Sequence, residues 1–230
     1  MNQQQYDEFN ASAKRHLAED RLINNTFGQT NDEDFFQGCS VGCFAYDITG
    51  EIEYDSPHEI VSEHFGYSLY LCKLQDTLFE NTDNSIHTEL AAALPVDFND
   101  WKRLRHRIEA RILKEIVLPV AGTSIQVVQQ VIELHKTQCI DKEIWSAAES
   151  AARSAAWSAA ESAARSAAWS AAESAAESAA ESAAESAAWS AAESAAESAA
   201  WSAAWSAAWS AAWSKIRTIV IEEIINHENH

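Results

Sequence analysis

Along residues 3–24 the apolar positions Tyr6, Phe9, Ala13, Leu17 and Leu22 recur near helical spacing with charged residues between them. The pattern predicts an amphipathic helix ending before Asn24-Asn25. Thr26 to Gly42 shows no such period and reads as loop. From Phe44 the period shortens to two: Phe44, Tyr46 and Ile48, then Ile52 and Tyr54, alternate around Thr49-Gly50, which predicts a short β-hairpin. Two strands alone are marginal in water, so such a hairpin has to pack on helices.

Helical spacing then returns. Ser56-Pro57 supplies a cap residue and a proline suited to a first helical turn, and Gly66 a stop, which marks a short helix. Ser68 starts a second carrying Leu71, Leu74, Leu78 and Phe79, and Asn84 or Ser85 a third that runs towards Pro95. The clearest helix follows Asp97 or Asn99: Trp101, Leu104, Ile108, Ile112, Leu113 and Ile116 form one stripe, opposite Lys102, Arg103, Arg105 and Arg107, until Pro119. A last one from Thr123 or Ser124 sets Ile125, Val128, Val131, Ile132 and His135 on one side.

At Trp145 the pattern changes kind. One four-residue unit, X-Ser-Ala-Ala with X drawn from Trp, Glu and Arg, starts 18 times up to Trp213. Ala is the best helix former, and neither glycine nor proline occurs after Gly122, so the run is helical on propensity alone. A single helix from Asp141 to about Glu228 would be roughly 130 Å long. Four residues turn an ideal helix by about 400°, so the variable position creeps about 40° per unit and holds no fixed stripe. On that wheel Trp201, Trp205, Trp209 and Trp213 share one face with Ile216, Ile219, Val220 and Ile224, an apolar surface of a kind seldom left in water. Glu173, Glu177 and Glu181 fall on the same side, so one straight rod cannot bury that face throughout, and a bend, a hairpin or simple exposure is expected there. An inert helical spacer remains the plainer alternative.

Charge narrows the partners. The chain of 230 residues carries a net −19, and both parts are acidic: 24 acidic against 12 basic side chains in residues 1–144, and 8 against 2 in the repeats. That field repels phosphate backbones and anionic bilayers, so neither nucleic acid nor membrane is expected as a partner. WKRLRHR is the one basic cluster; it reads as an acidic-partner patch or as a solvated face that balances local acid. The opening MNQQQYDEFNASAKRH has no apolar core of a leader, which predicts a cytoplasmic protein with reduced thiols.

Candidate chemistry is sparse. GCSVGC places Cys39 and Cys43 four apart, with His58 and His64 downstream, and thiolates and imidazoles are the donors zinc takes. The spacing differs from that of zinc knuckles, and buried structural thiols in a glycine-flanked turn are the alternative. A cysteine nucleophile would need a base, for which His58, His64 or His87 are the candidates. No phosphate-loop Lys follows Gly38 and Gly42.

GCSVGC, LCKLQDTLFE, AAALPVDFNDW and the Trp-Ser-Ala-Ala run together resemble a group of uncharacterised bacterial and phage-associated proteins with similar Ala-rich tetrapeptide tails. The resemblance covers about Gly38 to Trp213 and implies an architecture but no activity. Members of that group carry a His soon after the second cysteine, where this chain has Phe44-Ala45-Tyr46, a departure that counts against a metal.

These readings predict a mainly α protein: a compact helical domain over 1–140 with a short β-hairpin, and an Ala-rich repeat helix or helical hairpin over 141–230. The expected function is non-enzymatic, a helix-mediated interaction or scaffold role. A protein partner or a second copy would be held on the face formed by Trp201, Trp205, Trp209, Trp213, Ile216, Val220 and Ile224. The alternative is a metal- or thiol-dependent activity using Cys39 and Cys43, in its metal form with zinc on Cys39, Cys43, His58 and His64.

Overall fold

Asn2 opens the first helix. Its side chain accepts a hydrogen bond from Gln5 N while Gln5 Oε1 accepts one from Asn2 N, each 2.9 Å, a reciprocal cap on α1, Gln3–Ala18. The computed structural model describes the chain apart from residues 31–34, 52–55, 123–124, 140, 142, 149, 152–206 and 228–230. α1 stops short of the expected Asn24-Asn25, because Asp20 turns the backbone to a left-handed φ of 55°. Leu22 therefore reaches the core from the loop beyond, bridged to Gly38, and not from the helix.

The predicted hairpin is a helix, and the strands lie where loop was expected. β1, Gln29–Thr30, pairs antiparallel with β2, Phe36–Gln37, in the register Gln29 with Gln37 and Thr30 with Phe36. Ser40–Thr49 is α2, closed by Gly50 at φ 72° with its N–H on Tyr46 O. The two-residue alternation of Phe44, Tyr46 and Ile48 coexists with a helical set, Val41, Phe44, Ala45 and Ile48, and the buried neighbours on both sides favour the helix. The downstream half of the expected hairpin, Ile52 and Tyr54, lies outside the described residues.

The next helices start at the expected punctuation, α3 Pro57–Phe65 with Gly66 left-handed at φ 67°, α4 Leu69–Asn81, α5 Ser85–Ala93 and α6 Trp101–Ile112, but α6 stops short of the expected end at Pro119 and leaves Leu113 and Ile116 outside it. Past Ile112 the chain winds through a single π turn, Leu113–Val117, and a 3-10 turn at Leu118–Val120, so Pro119 falls in that last turn. α7 is Ile125–Lys136.

The chain forms two compact units, Met1–Ile112 with Ala212–His230, and Leu113–Ala211. Composition changes near residue 144, whereas packing changes at Ile112 and again at Ala212, so the C-terminal residues belong with the first unit. Its core centres on Phe9, Phe44 and Phe65; the Phe9 and Phe44 rings stack at 4.2 Å and Phe65 meets Phe9 edge-on at 4.7 Å. Leu71, Leu78, Phe79, Ile86, Leu90, Leu104 and Ile108 enclose it, and from the C-terminal helix, described over 207–225, Val220 and Ile224 are fully buried in the same core.

Ion pairs flank that docking. Arg107 and Arg111 on α6 meet Glu223 at 2.7 and 3.3 Å, and Arg111 also meets Glu222 at 2.5 Å. Arg217 reaches Asp83 at 2.8 Å and Glu89 at 2.5 Å at the start of α5. Part of the basic cluster thus balances acid brought in by the chain's own end, while Arg105 pairs with Glu109 along α6.

In the second unit Asp141 Oδ1 caps a helical stretch over 143–148, accepting from Glu143 N at 2.8 Å. Trp145, the first residue of the repeat, donates its indole N–H to Cys139 O at 2.8 Å and sets its ring edge-on to His135 at 4.8 Å. Among the described residues no helix is long and apolar enough to cross a membrane.

Candidate functional site

Two glycines bring a loop down on the start of α2. A Cβ placed on Gly42 would stand 1.5 Å from Phe27 O, and one on Gly38 2.3 Å from the same oxygen. Only bare Cα atoms let the segment Asn25–Phe27 lie so close. Cys39 N donates to Thr26 O at 2.8 Å and fastens it. The glycines of GCSVGC therefore serve a backbone contact.

That contact shapes a cleft of about 270 Å³ lined by Asn25, Thr26, Phe27, Cys39, Asp76 and Glu80. Asp76 and Glu80 stand one turn apart on α4 and so share a face. One donor atom from each, with Cys39 Sγ, lies within 4.8 Å of the others. His58, from the first turn of α3, places Nε2 3.1 Å from Asp76 Oδ2, and Asn25, held at φ 66°, donates its N–H to Glu80 Oε2 at 2.7 Å. Asp76 Oδ1 is buried and makes no hydrogen bond. Burial, then the charge of Asp76, pushes the Cys39 thiol well above its ordinary range and the Glu80 carboxyl up as well, the Asn25 N–H partly offsetting the latter.

Of the four metal candidates taken from sequence, Cys39 and His58 meet at this cleft through Asp76. Cys43 turns its thiol to Arg21 O and Gly38 O, both at 3.5 Å, and burial pushes it up to about 12. His64 pairs with Glu8 at 3.2 Å. Among the described residues the four do not gather as one ligand set. Sequence alone does not single out Asp76 and Glu80, although a carboxylate pair at i and i+4 on α4 is the visible signal.

A second polar assembly runs through the core. Tyr67 OH donates to Gln75 Oε1 at 3.0 Å, Gln75 Nε2 to Ser40 Oγ at 2.6 Å, and Ser40 Oγ lies 2.8 Å from His87 Nδ1. His87 Nε2 is 3.1 Å from His16 Nδ1, and His16 Nε2 2.7 Å from Asp47 Oδ2. With both imidazoles neutral, one tautomer of each makes every link donor to acceptor in a single direction, ending on the carboxylate. Burial, reinforced by His16, holds His87 well below the ordinary histidine value. Burial by itself would raise Asp47, but the His16 hydrogen bond and then the Arg15 guanidinium carry it below the carboxylate range. The order serine, histidine, carboxylate is reminiscent of a nucleophile chain, yet Ser40, His16 and His87 are wholly buried, so no substrate reaches Ser40 in this conformation. The chain ties α1, α2, α4 and α5 together.

Of the expected interaction face, Trp201 and Trp205 lie outside the described residues. Trp209 keeps 52 % of its surface exposed. Trp213 and Ile216 pack half-buried on the first unit's core, and Val220 and Ile224 lie inside it. No family model, curated protein or solved structure matches this chain.

Proposed function

We propose that this chain is a non-enzymatic scaffold whose Trp-bearing Ala-Ser repeat assembles with a second copy or another protein. What supports the reading is Trp209. It stands half exposed on a helix whose next turns are locked into the first unit by Val220, Ile224 and Arg217. An indole exposed on an anchored helix, in a run that repeats indoles every four residues, favours a covering surface. The small Ser and Ala positions between them let a partner helix approach to the short end of the usual axial distance of about 8–10 Å.

The anchoring also narrows the face. Val220 and Ile224 are committed to the chain's own core, so the partner-binding part is confined to Trp201, Trp205 and Trp209. Sedimentation of the full chain over rising concentration tests this. The expected result is a concentration-dependent oligomer that the triple change of Trp201, Trp205 and Trp209 to Ala abolishes while the fold persists by circular dichroism. Identical monomers for both proteins would remove the reading. A thiol-dependent activity has weaker support, since Cys39 and Cys43 both sit where burial keeps the thiol protonated at neutral pH.

A further inference from the structure

The geometry points to a binding site for a zinc-class divalent cation at Cys39, Asp76 and Glu80. The donor set is mixed, a sulfur and two carboxylate oxygens within 4.8 Å of one another. Tetrahedral zinc holds sulfur at about 2.3 Å and oxygen at about 2.0–2.2 Å, which sets neighbouring donors about 3.5 Å apart. Side-chain shifts of about 1 Å close that gap, and two of the donors ride on one helical face, Asp76 and Glu80.

Each donor is already steered by an outer partner. His58 lies on Asp76 Oδ2, Asn25 N–H on Glu80 Oε2, and Gly42 N–H on Cys39 Sγ at 3.3 Å. Such outer contacts orient ligands before the metal arrives. The remaining oxygen, Asp76 Oδ1, is buried without a hydrogen bond of normal geometry, and the Cys39 thiol stands beside the carboxylate, so a cation that replaces the thiol proton satisfies both groups. The cleft of about 270 Å³ has room for the ion and a bound water, so three protein donors leave a fourth position open. A thiolate ligand selects zinc over magnesium or calcium, which take oxygen alone. Binding forms a metal–sulfur bond and releases the Cys39 thiol proton to solvent, with no change of oxidation state. The site is independent of the repeat and of its tryptophans.

The test uses the full-length protein after chelator treatment, titrated with Zn(II) alone by calorimetry and with Co(II) by absorption. One equivalent of zinc is expected, and cobalt should give a near-ultraviolet thiolate charge-transfer band. Cys39→Ser should abolish the band and weaken zinc at least about tenfold. Glu80→Gln should keep the band and weaken zinc about tenfold, whereas Cys43→Ser should change neither. Absence of stoichiometric zinc, or a cobalt band that survives Cys39→Ser, overturns the site. Should Cys39→Ser fail to fold by circular dichroism, Glu80→Gln decides, and unchanged zinc affinity there overturns it equally.

Discussion

Gly42 has no room for a methyl group, because Phe27 O occupies the place. Gly42→Ala has to push the Asn25–Phe27 segment away, and forced overpacking of that kind costs about 1–3 kcal/mol. Gly50 is glycine for a different reason: nothing lies near its absent Cβ, and only its φ of 72° resists a side chain. Urea unfolding should therefore find Gly42→Ala the more destabilised of the two and, unlike Gly50→Ala, altered at the cleft; equal effects would show that the loop yields freely. His87 carries a pH signature. Its folded-state value is depressed, so the unfolded chain takes up a proton that the folded chain refuses. Stability from this group is full above about 6.5, the ordinary histidine value, and declines as pH falls below it towards the lower folded-state value. Denaturation midpoints measured from pH 8 to 5 should fall across that window, and His87→Leu should flatten the slope. That variant also strands the Ser40 hydroxyl and a His16 nitrogen, at a cost of about 1–3 kcal/mol.

Helix boundaries were legible wherever a residue with one conformational use marks them. Pro57 and Gly66 bound α3, and Ser68 and Asn84 stand at the starts of α4 and α5. α2 was misread because it is apolar nearly all round; with no polar face, the same residues satisfy a period of two and a period of 3.6. α1 was read too long because Leu22 is truly buried, and burial alone does not say that a residue reaches the core on a helix. The cleft was half legible. Cys39 and His58 belonged to the expected donor set, but what brings them together is Asp76, and no local pattern links residues 37 apart in sequence to one pocket. The buried chain from Tyr67 to Asp47 escaped for the same reason: His16 and His87 sit on apolar helix faces, where each reads singly as an ordinary core histidine. The basic face of α6 was recognised, yet its acid partner Glu223 follows Arg107 by 116 residues.

At the scale of the molecule, α6 leads out of the first unit and the C-terminal helix leads back into it. Arg107 pairing with Glu223 while Arg111 takes Glu222 and Glu223 sets the two helices side by side in opposite directions. The C-terminal helix is thus held on the first unit by Val220 and Ile224, whose burial matters more than the pair of Arg111 with the half-exposed Glu222. Burial of an aliphatic side chain is worth about 1.5–3 kcal/mol, whereas a pair with an exposed partner, such as Arg111 with Glu222, gives about 0–1 kcal/mol. Against a typical total stability of about 5–15 kcal/mol, losing Val220 and Ile224 together removes a large share. A chain ending at Ala211 should therefore unfold its first unit at a markedly lower temperature, with α6 and α5 exposing apolar surface to a dye such as ANS. Glu222→Gln in the full chain, where the carboxylate is half exposed, should lower that temperature only slightly. The same comparison separates anchoring from assembly, because the triple change at Trp201, Trp205 and Trp209 leaves Val220 and Ile224 in place and should leave first-unit stability at high dilution unaltered. If the truncated chain melted together with the full one, the C-terminal residues would be passengers on the first unit, and their part in its core would have to be abandoned.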